Sequence, residues 1–256
     1  QLLASVPGLD KIASIKAEQI SNVGSQDMTN KIWYQLANRI KQAIDRNEVD
    51  GIVITHGTDT MEETGFFLDH ILSTSKPVVL VGSMRAGGST SADGPMNLYE
   101  AVEVAASTQS ANRGVLMVMN DTINSPRWAT KTNTTSVQTF QNPNAGPLGY
   151  VDPASIRYLS PAPTTHKKAL ELPSGGLPRV DIVYAHADMD ATQIQDAVQH
   201  DAKGIVLAGD GDGNASKSAL DAMEAAARKG IVVVRSTRVS SGFVNRNVEV
   251  PDDKSG

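Results

Sequence analysis

The sequence contains no cysteine, which excludes thiol catalysis, disulfides and zinc–thiolate sites together and leaves the redox compartment open. Aromatics are scarce at 4%, and no apolar run approaches the roughly 20 residues that a membrane helix needs, so no membrane partner is expected. Charge is modest: the net value is −5, and the longest basic cluster is Lys167-Lys168 beside His166. Without a basic patch to neutralise phosphates, nucleic acid is not expected as a partner. The five histidines (His56, His70, His166, His186 and His200) show no HExxH or other ligand spacing, so no metal site is expected. No internal repeat and no low-complexity tract interrupts the chain. It begins at Gln1 without an initiator Met or a signal peptide, which reads as a mature or truncated product, and it stops at "PDDKSG", which reads as a polar loop.

What is present is an ordinary globular composition, 40% apolar and 20% charged, in 256 residues, enough for one large domain or two smaller ones. Short β-branched runs alternate with helical patterns, as in βαβ units with a parallel sheet. The strands are "GIVIT" (51–55), "PVVLVG" (77–82), "GVLMVMN" (114–120), "VDIVYA" (180–185), "GIVLAG" (204–209) and "IVVVRS" (231–236). Their continuous apolar character suits strands covered on both faces. Ile32, Leu36, Ile40 and Ile44 mark one face of a helix, on which "Trp33-Tyr34" reads as core or subunit interface. "SKSALDAMEAAARKG" (216–230) reads as a second helix that ends at Gly230. From 151 onward the rhythm breaks into Pro, Ser, Thr and Gly. The organisation is therefore a two-domain α/β protein: a larger, mainly parallel, doubly wound domain over 1–155, a linker over 156–178 and a smaller α/β domain over 179–256.

The chemistry concentrates in "THGTDTMEET" (55–64), directly after the first apolar strand. Thr60 and Glu63 have capping-box spacing, so Thr60 reads as the cap of the helix "MEETGFFLDHIL". Thr58 and Asp59 fall on the turn beyond the strand's carboxyl end, where open parallel sheets bind ligands. Gly57 permits a tight turn and a close backbone approach. His56, at the strand end, reads as a packed core histidine. A rival motif, "AGDGDGNASKSALD", has the wrong glycine spacing for a dinucleotide, and Asp210 and Asp212 would repel a pyrophosphate. As a calcium loop it has Ala215 for the turn glycine, Asp221 for the bidentate glutamate, and a strand before it. It reads instead as a loop at the edge of an active site.

Four stretches, "GSQDM" (24–28), "THGTDTMEET" (55–64), "SADGPMNLYEAV" (91–102) and "TKTNT" (130–134), closely resemble the bacterial type II L-asparaginases. The similarity continues through "PRVDIVY" (178–184) and "VRSTRV" (234–239), in order and at family-like spacing. The resemblance implies hydrolysis of asparagine, and often of glutamine, to the acid and ammonia, without a cofactor. It assigns the catalytic threonine and aspartate to Thr58 and Asp59 and the lysine to Lys131. Substrate contacts fall at Ser25 and Gln26, at Asp59 for the substrate α-amino group, and at the backbone of Ser83 and Met84. It also implies a homotetramer of intimate dimers, in which a neighbouring subunit supplies residues matching Asn214 of "GDGDGN" and Glu249 of "RNVEVPDD". A periplasmic or secreted location is implied, with the cytoplasm as the alternative.

A threonine hydroxyl needs a partner to take its proton. A lysine serves only if desolvation outweighs the pull of a facing carboxylate, so a water-bridged Thr58–Lys131–Asp59 relay is the expected arrangement. The family's principal nucleophile is a threonine in a "TGGTIAG" strand–turn, followed by a loop carrying a tyrosine. Neither motif occurs in the 256 residues, nor does the final "LNPQKAR" helix, so the chain by itself is expected to be a slow hydrolase. Smaller departures are Ala86, where proline is usual, and Asp212, where asparagine is usual. The alternatives are a glutaminase-asparaginase and a catalytically incomplete amino-acid-binding fragment.

Overall fold

The structure is a computed structural model that describes residues 3, 6–164 and 168–256. His166 and Lys167 of the basic cluster lie outside the described residues. The chain forms two compact units, Gln1–Leu172 and Pro173–Gly256.

The first unit begins with α1 (Leu9–Ile12) and α2 (Asn30–Asp45), then alternates β1 (Ile52–Thr55), α3 (Met61–Ile71), β2 (Val78–Val81), α4 (Gly94–Ala106) and β3 (Val115–Met119). The three strands pair in parallel, Ile52 opposite Val78 and Val78 opposite Val115. Every residue of β2 and β3 is buried, as a parallel strand with helices on both faces requires. Because successive side chains point to opposite faces, Val78 and Leu80 join Leu36, Ile40 and Leu68 of α2 and α3 in one core layer. Val79 and Val81 face the other way, against Leu9 of α1 and Leu98 of α4.

The rest of this sheet is antiparallel, and it was not read from the sequence. The chain reverses after β3 through Asn120 and Asp121, both at positive φ (51° and 59°), a two-residue hairpin turn for which these residue types are suited. It returns as β4 (Thr122–Asn124), makes a separate two-stranded ribbon from β5 (Thr130–Lys131) and β6 (Phe140–Gln141), and re-enters the sheet as β7 (Gly149–Asp152) and β8 (Ser155–Tyr158). The sheet order is β1-β2-β3-β4-β7-β8. β8 runs three residues into the stretch read as linker. Farther along, Leu170 N–H donates to His70 O (2.8 Å) and Leu172 packs on the α2–α3 core layer.

The second unit is a three-stranded parallel sheet in the order β11-β10-β9, built from β9 (Val180–Tyr184), α5 (Thr192–Gln199), β10 (Gly204–Gly209), α6 (Lys217–Arg228) and β11 (Val232–Thr237). Ile194, Ile205, Leu207 and Met223 centre its core. Ser216 caps α6 by accepting from Ala219 N–H, and Gly230 sits at φ 84°, as a helix exit favours. "PDDKSG" departs from the loop expected of it. It folds as the short α7 (Asp252–Ser255), with Asp252 and Asp253 in the first turn, where carboxylates favour a helix start. Among the described residues no helix is long and apolar enough to cross a membrane.

Candidate active site

The loop leaving β1 is shaped by its neighbour, the 3-10 turn Ser25–Asp27. His56 N–H still donates to Val81 O (2.8 Å), so the chain stays beside β2 until Gly57. A Cβ on Gly57 would lie 2.7 Å from Ser25 Oγ, too close for any side chain, which is why glycine is needed there. This approach lets Asp59 N–H donate to the buried Ser25 Oγ (3.1 Å). The Thr60 hydroxyl donates to Ser25 O (2.7 Å). Thr60 occupies the N-cap position of α3 but makes no side-chain cap, which corrects the capping-box reading. Its hydroxyl binds the Ser25 turn instead of its own helix.

Lys131, on β5, reaches this loop from 73 residues away: Nζ lies 3.0 Å from Thr58 Oγ1 and 2.6 Å from Asp59 Oδ1. The contact is direct, so the water-bridged relay expected from sequence is not the observed arrangement. Thr58 is 9% exposed and the Lys131 side chain 19%, whereas the Asp59 side chain is 60% exposed. The hydroxyl and the amine are thus shielded, and the carboxylate faces outward. Such a cluster can move a proton between a hydroxyl and an amine while presenting an anion to a cationic ligand.

Two groups that the sequence reading missed hold the cluster. Glu62 Oε1 accepts from the Thr130 hydroxyl (2.9 Å) and Oε2 from Lys131 N–H (2.6 Å). Burial pushes the Glu62 carboxyl above its ordinary value, opposed by these two hydrogen bonds. The capping-box spacing had pointed to Glu63, one residue along. Thr64 is the other: its Oγ1 lies 2.8 Å from Trp33 Nε1 and 2.9 Å from His56 Nε2. Gly57 O can only accept, so His56 Nδ1 carries the hydrogen donated to it (2.7 Å), and in the neutral ring Nε2 accepts the Thr64 hydroxyl hydrogen while Thr64 Oγ1 accepts from the indole N–H. His56 is neutral in this network, in keeping with burial that lowers its pKa. Trp33 is half-buried and stacked on Phe67, ring centroids 5.0 Å apart.

Of the remaining candidates in the first unit, Gln26 is exposed and donates to Asp27 Oδ2 (3.3 Å). Ser83 is exposed at the end of β2, against Gly94 at the start of α4. Met84 N–H and Arg85 N–H both donate to the Asp93 carboxylate (2.9 Å each). The Met84 amide is therefore already engaged and is not free for a ligand.

Asn214 and Glu249 belong to the second unit and are hydrogen-bonded to each other, Asn214 Nδ2 to Glu249 Oε2 at 3.0 Å. Arg235 orders both segments. Its guanidinium binds Asp252 bidentately (2.8 Å each), and donates to Asp212 O (2.6 Å), Gly213 O (3.3 Å) and Asn245 O (2.8 Å). This clamp holds the Asp252 carboxyl down at about 2. Asp212, where the family usually has asparagine, spends its carboxylate on Asn245 N–H (2.7 Å) and Asn245 Nδ2 (3.0 Å).

Known proteins match along the whole chain. A family profile described as "Asparaginase, N-terminal" covers residues 1–164, and "Glutaminase/Asparaginase C-terminal domain" covers residues 179–256. L-asparaginase 2 of Escherichia coli (strain K12) is 48% identical over 258 residues, spanning 100% of this chain and 74% of that protein. The probable L-asparaginase periplasmic of Haemophilus influenzae is 45% identical over 100% of this chain and 73% of its own length. A glutaminase-asparaginase of Pseudomonas fluorescens biotype A is 40% identical over 99% of this chain and 71% of its own. Identity of this degree over the full chain, with both profiles in order and a Thr–Lys–Asp cluster at the strand end, shows that the chain belongs to the asparaginase/glutaminase family.

Proposed function

We propose that this protein hydrolyses the side-chain amide of L-asparagine to L-aspartate and ammonia, using Thr58, Lys131 and Asp59. The observation that carries the reading is the placement of Lys131 Nζ within hydrogen-bond reach of both Thr58 Oγ1 and Asp59 Oδ1. With Lys131 as the neutral amine, donating to Asp59 Oδ1 and turning its lone pair to Thr58, Thr58 takes the proton of the attacking oxygen, which the family resemblance assigns to a threonine of the "TGGTIAG" segment, and passes its own proton to Lys131. The amine returns that proton to the departing ammonia. Asp59 is shared: Oδ1 holds Lys131, and the other, outward oxygen is placed for the substrate α-ammonium. Ser25 Oγ accepts from Asp59 N–H, which leaves its own hydrogen to donate to a substrate carboxylate. Gln26, Ser83 and Met84 complete the contact set, Met84 through its carbonyl rather than its amide.

Use of glutamine as well is the second reading, supported by the relative named glutaminase-asparaginase. One extra methylene is worth only about 1–3 kcal/mol of discrimination, so the two substrates are separable only weakly. Asn214 and Glu249 are placed in the site of a neighbouring subunit, within a homotetramer of intimate dimers. The location follows the periplasmic relative.

Ammonia release from asparagine and from glutamine tests the proposal. Thr58→Ala and Lys131→Met should each lower kcat by roughly 10²-fold or more, the size of a lost proton relay. Asp59→Ala should act mainly on KM. Parental turnover in Thr58→Ala would remove this hydroxyl from the mechanism. Binding of asparagine without ammonia release would favour the amino-acid-binding alternative.

A further inference from the structure

The ribbon that carries Lys131 is weakly fixed by the sheet. β5 and β6 are two residues each and pair only with one another, outside the six-stranded sheet. Two ladder positions, Thr130 opposite Gln141 and Lys131 opposite Phe140, with Thr132 N–H on Thr139 O (2.8 Å) beyond them and Phe140 packed in the α2–α3 core layer, seat the ribbon in the fold but tie the Lys131 backbone to nothing on the Thr58 loop. Yet Nζ sits at hydrogen-bond distance from two groups on another element. Something outside the ribbon must set its position.

Glu62 is placed to do so. It lies on the first turn of α3, three residues after Asp59, so it moves with the loop that bears Thr58 and Asp59. Each of its oxygens takes one donor from β5, the Thr130 hydroxyl at 2.9 Å and Lys131 N–H at 2.6 Å. The result is a closed circuit. The chain runs from Thr58 to Glu62, Glu62 grips the Lys131 backbone, and the Lys131 side chain returns to Thr58. A residue in a helix's first turn would ordinarily turn its carboxylate toward its own free amides. Glu62 directs both oxygens away from them, to one backbone and one side chain of the same two-residue strand.

We propose that Glu62 is a positioning residue of the amide-hydrolysing site, setting the Lys131 backbone so that Nζ meets Thr58 Oγ1. It touches neither substrate nor the reacting atoms, and its effect passes through Lys131. This rests on the asparaginase reading of the cluster. Misplacement of a reacting group by about 1 Å is enough to cost on the order of 10²-fold in rate, so a loosened ribbon is felt chiefly in kcat.

The test is steady-state asparagine hydrolysis by the full chain and its Glu62→Ala, Glu62→Gln and Thr130→Val variants, with thermal melting as the check on folding. Glu62→Ala should lower kcat by about 10–100-fold with KM changed less than about 3-fold. Glu62→Gln should recover most of that loss, to within about 5-fold of the parent, because its carbonyl accepts from Lys131 N–H and its amide donates to a Thr130 hydroxyl turned to accept. A residue that only supports the fold would lower the melting temperature without this kcat-specific loss and rescue. If Glu62→Ala does not fold, Thr130→Val, which removes one of the two contacts, should still show a several-fold kcat loss at constant KM. Unchanged kcat, or KM rising in step, overturns the proposal. A parent that neither binds asparagine nor releases ammonia marks failure of the functional reading instead. The positioning claim is then decided by crystal structures of parent and Glu62→Ala: an Nζ–Oγ1 separation that stays near 3.0 Å without Glu62 sinks it.

Discussion

Glu100, on α4, is fully buried, and Asp121 is the polar residue that faces its carboxyl. Burial, with Asp121 facing it and Glu103 one helical step along, pushes its pKa up to about 8. Glu100 is thus neutral in the folded protein near pH 7, and ionised in the unfolded chain. Between the ordinary value of 4.5 and about 8 the folded state binds the extra proton, so stability falls as pH rises through that window. Glu100→Gln should erase the slope, leaving stability near pH 5 little changed and adding on the order of 3 kcal/mol at pH 8.5. Melting temperatures of parent and variant from pH 5 to 8.5 check this. Parallel curves would show that Glu100 does not carry the dependence.

At the scale of elements, one hydroxyl joins three. Thr64 on α3 links Trp33 of α2 to His56 at the end of β1. Thr64→Val keeps the shape but leaves the indole N–H of half-buried Trp33 and the Nε2 of half-buried His56 without their hydroxyl partner, which should cost roughly 1 kcal/mol. Urea unfolding measures it, and a loss inside experimental scatter would mean that water replaces the hydroxyl. The same scale decides what the sequence could reveal. β2 and β3 were legible because strands buried on both faces need unbroken apolar runs. The segments β4 to β8 were not: they are two to four residues long, too short for a period to emerge, and only β7 alternates in burial. Thr58, Asp59 and Lys131 were legible through motifs, whereas Glu62 was not, since its partners lie 68 and 69 residues away and local spacing favoured Glu63. Thr60 was misread for a related reason, as its hydroxyl leaves its own helix for Ser25.

Across the whole molecule, the proposed catalytic groups divide between the two units: Ser25, Thr58, Asp59 and Lys131 in one, Asn214 and Glu249 in the other. If a neighbouring subunit completes each site, mixed oligomers of Thr58→Ala and Glu249→Ala, each impaired alone, should regain up to about a quarter of parental activity through hybrid sites that carry neither change. Ammonia release after dissociation and reassembly reads this out, and no recovery in well-mixed oligomers argues against sharing. The Arg235 clamp bears on the same residues. From Val239 to Val250 the chain has no strand or helix, and Arg235 joins both ends of that stretch's anchorage to the Asp212–Gly213 turn. Glu249 and Asn214 therefore hang on one shared anchorage, the Arg235 guanidinium together with the Asp212 carboxylate on Asn245. Their two segments open and close together, so their amide protons should exchange with solvent as one cooperative group, at a rate set by how often that anchorage lets go.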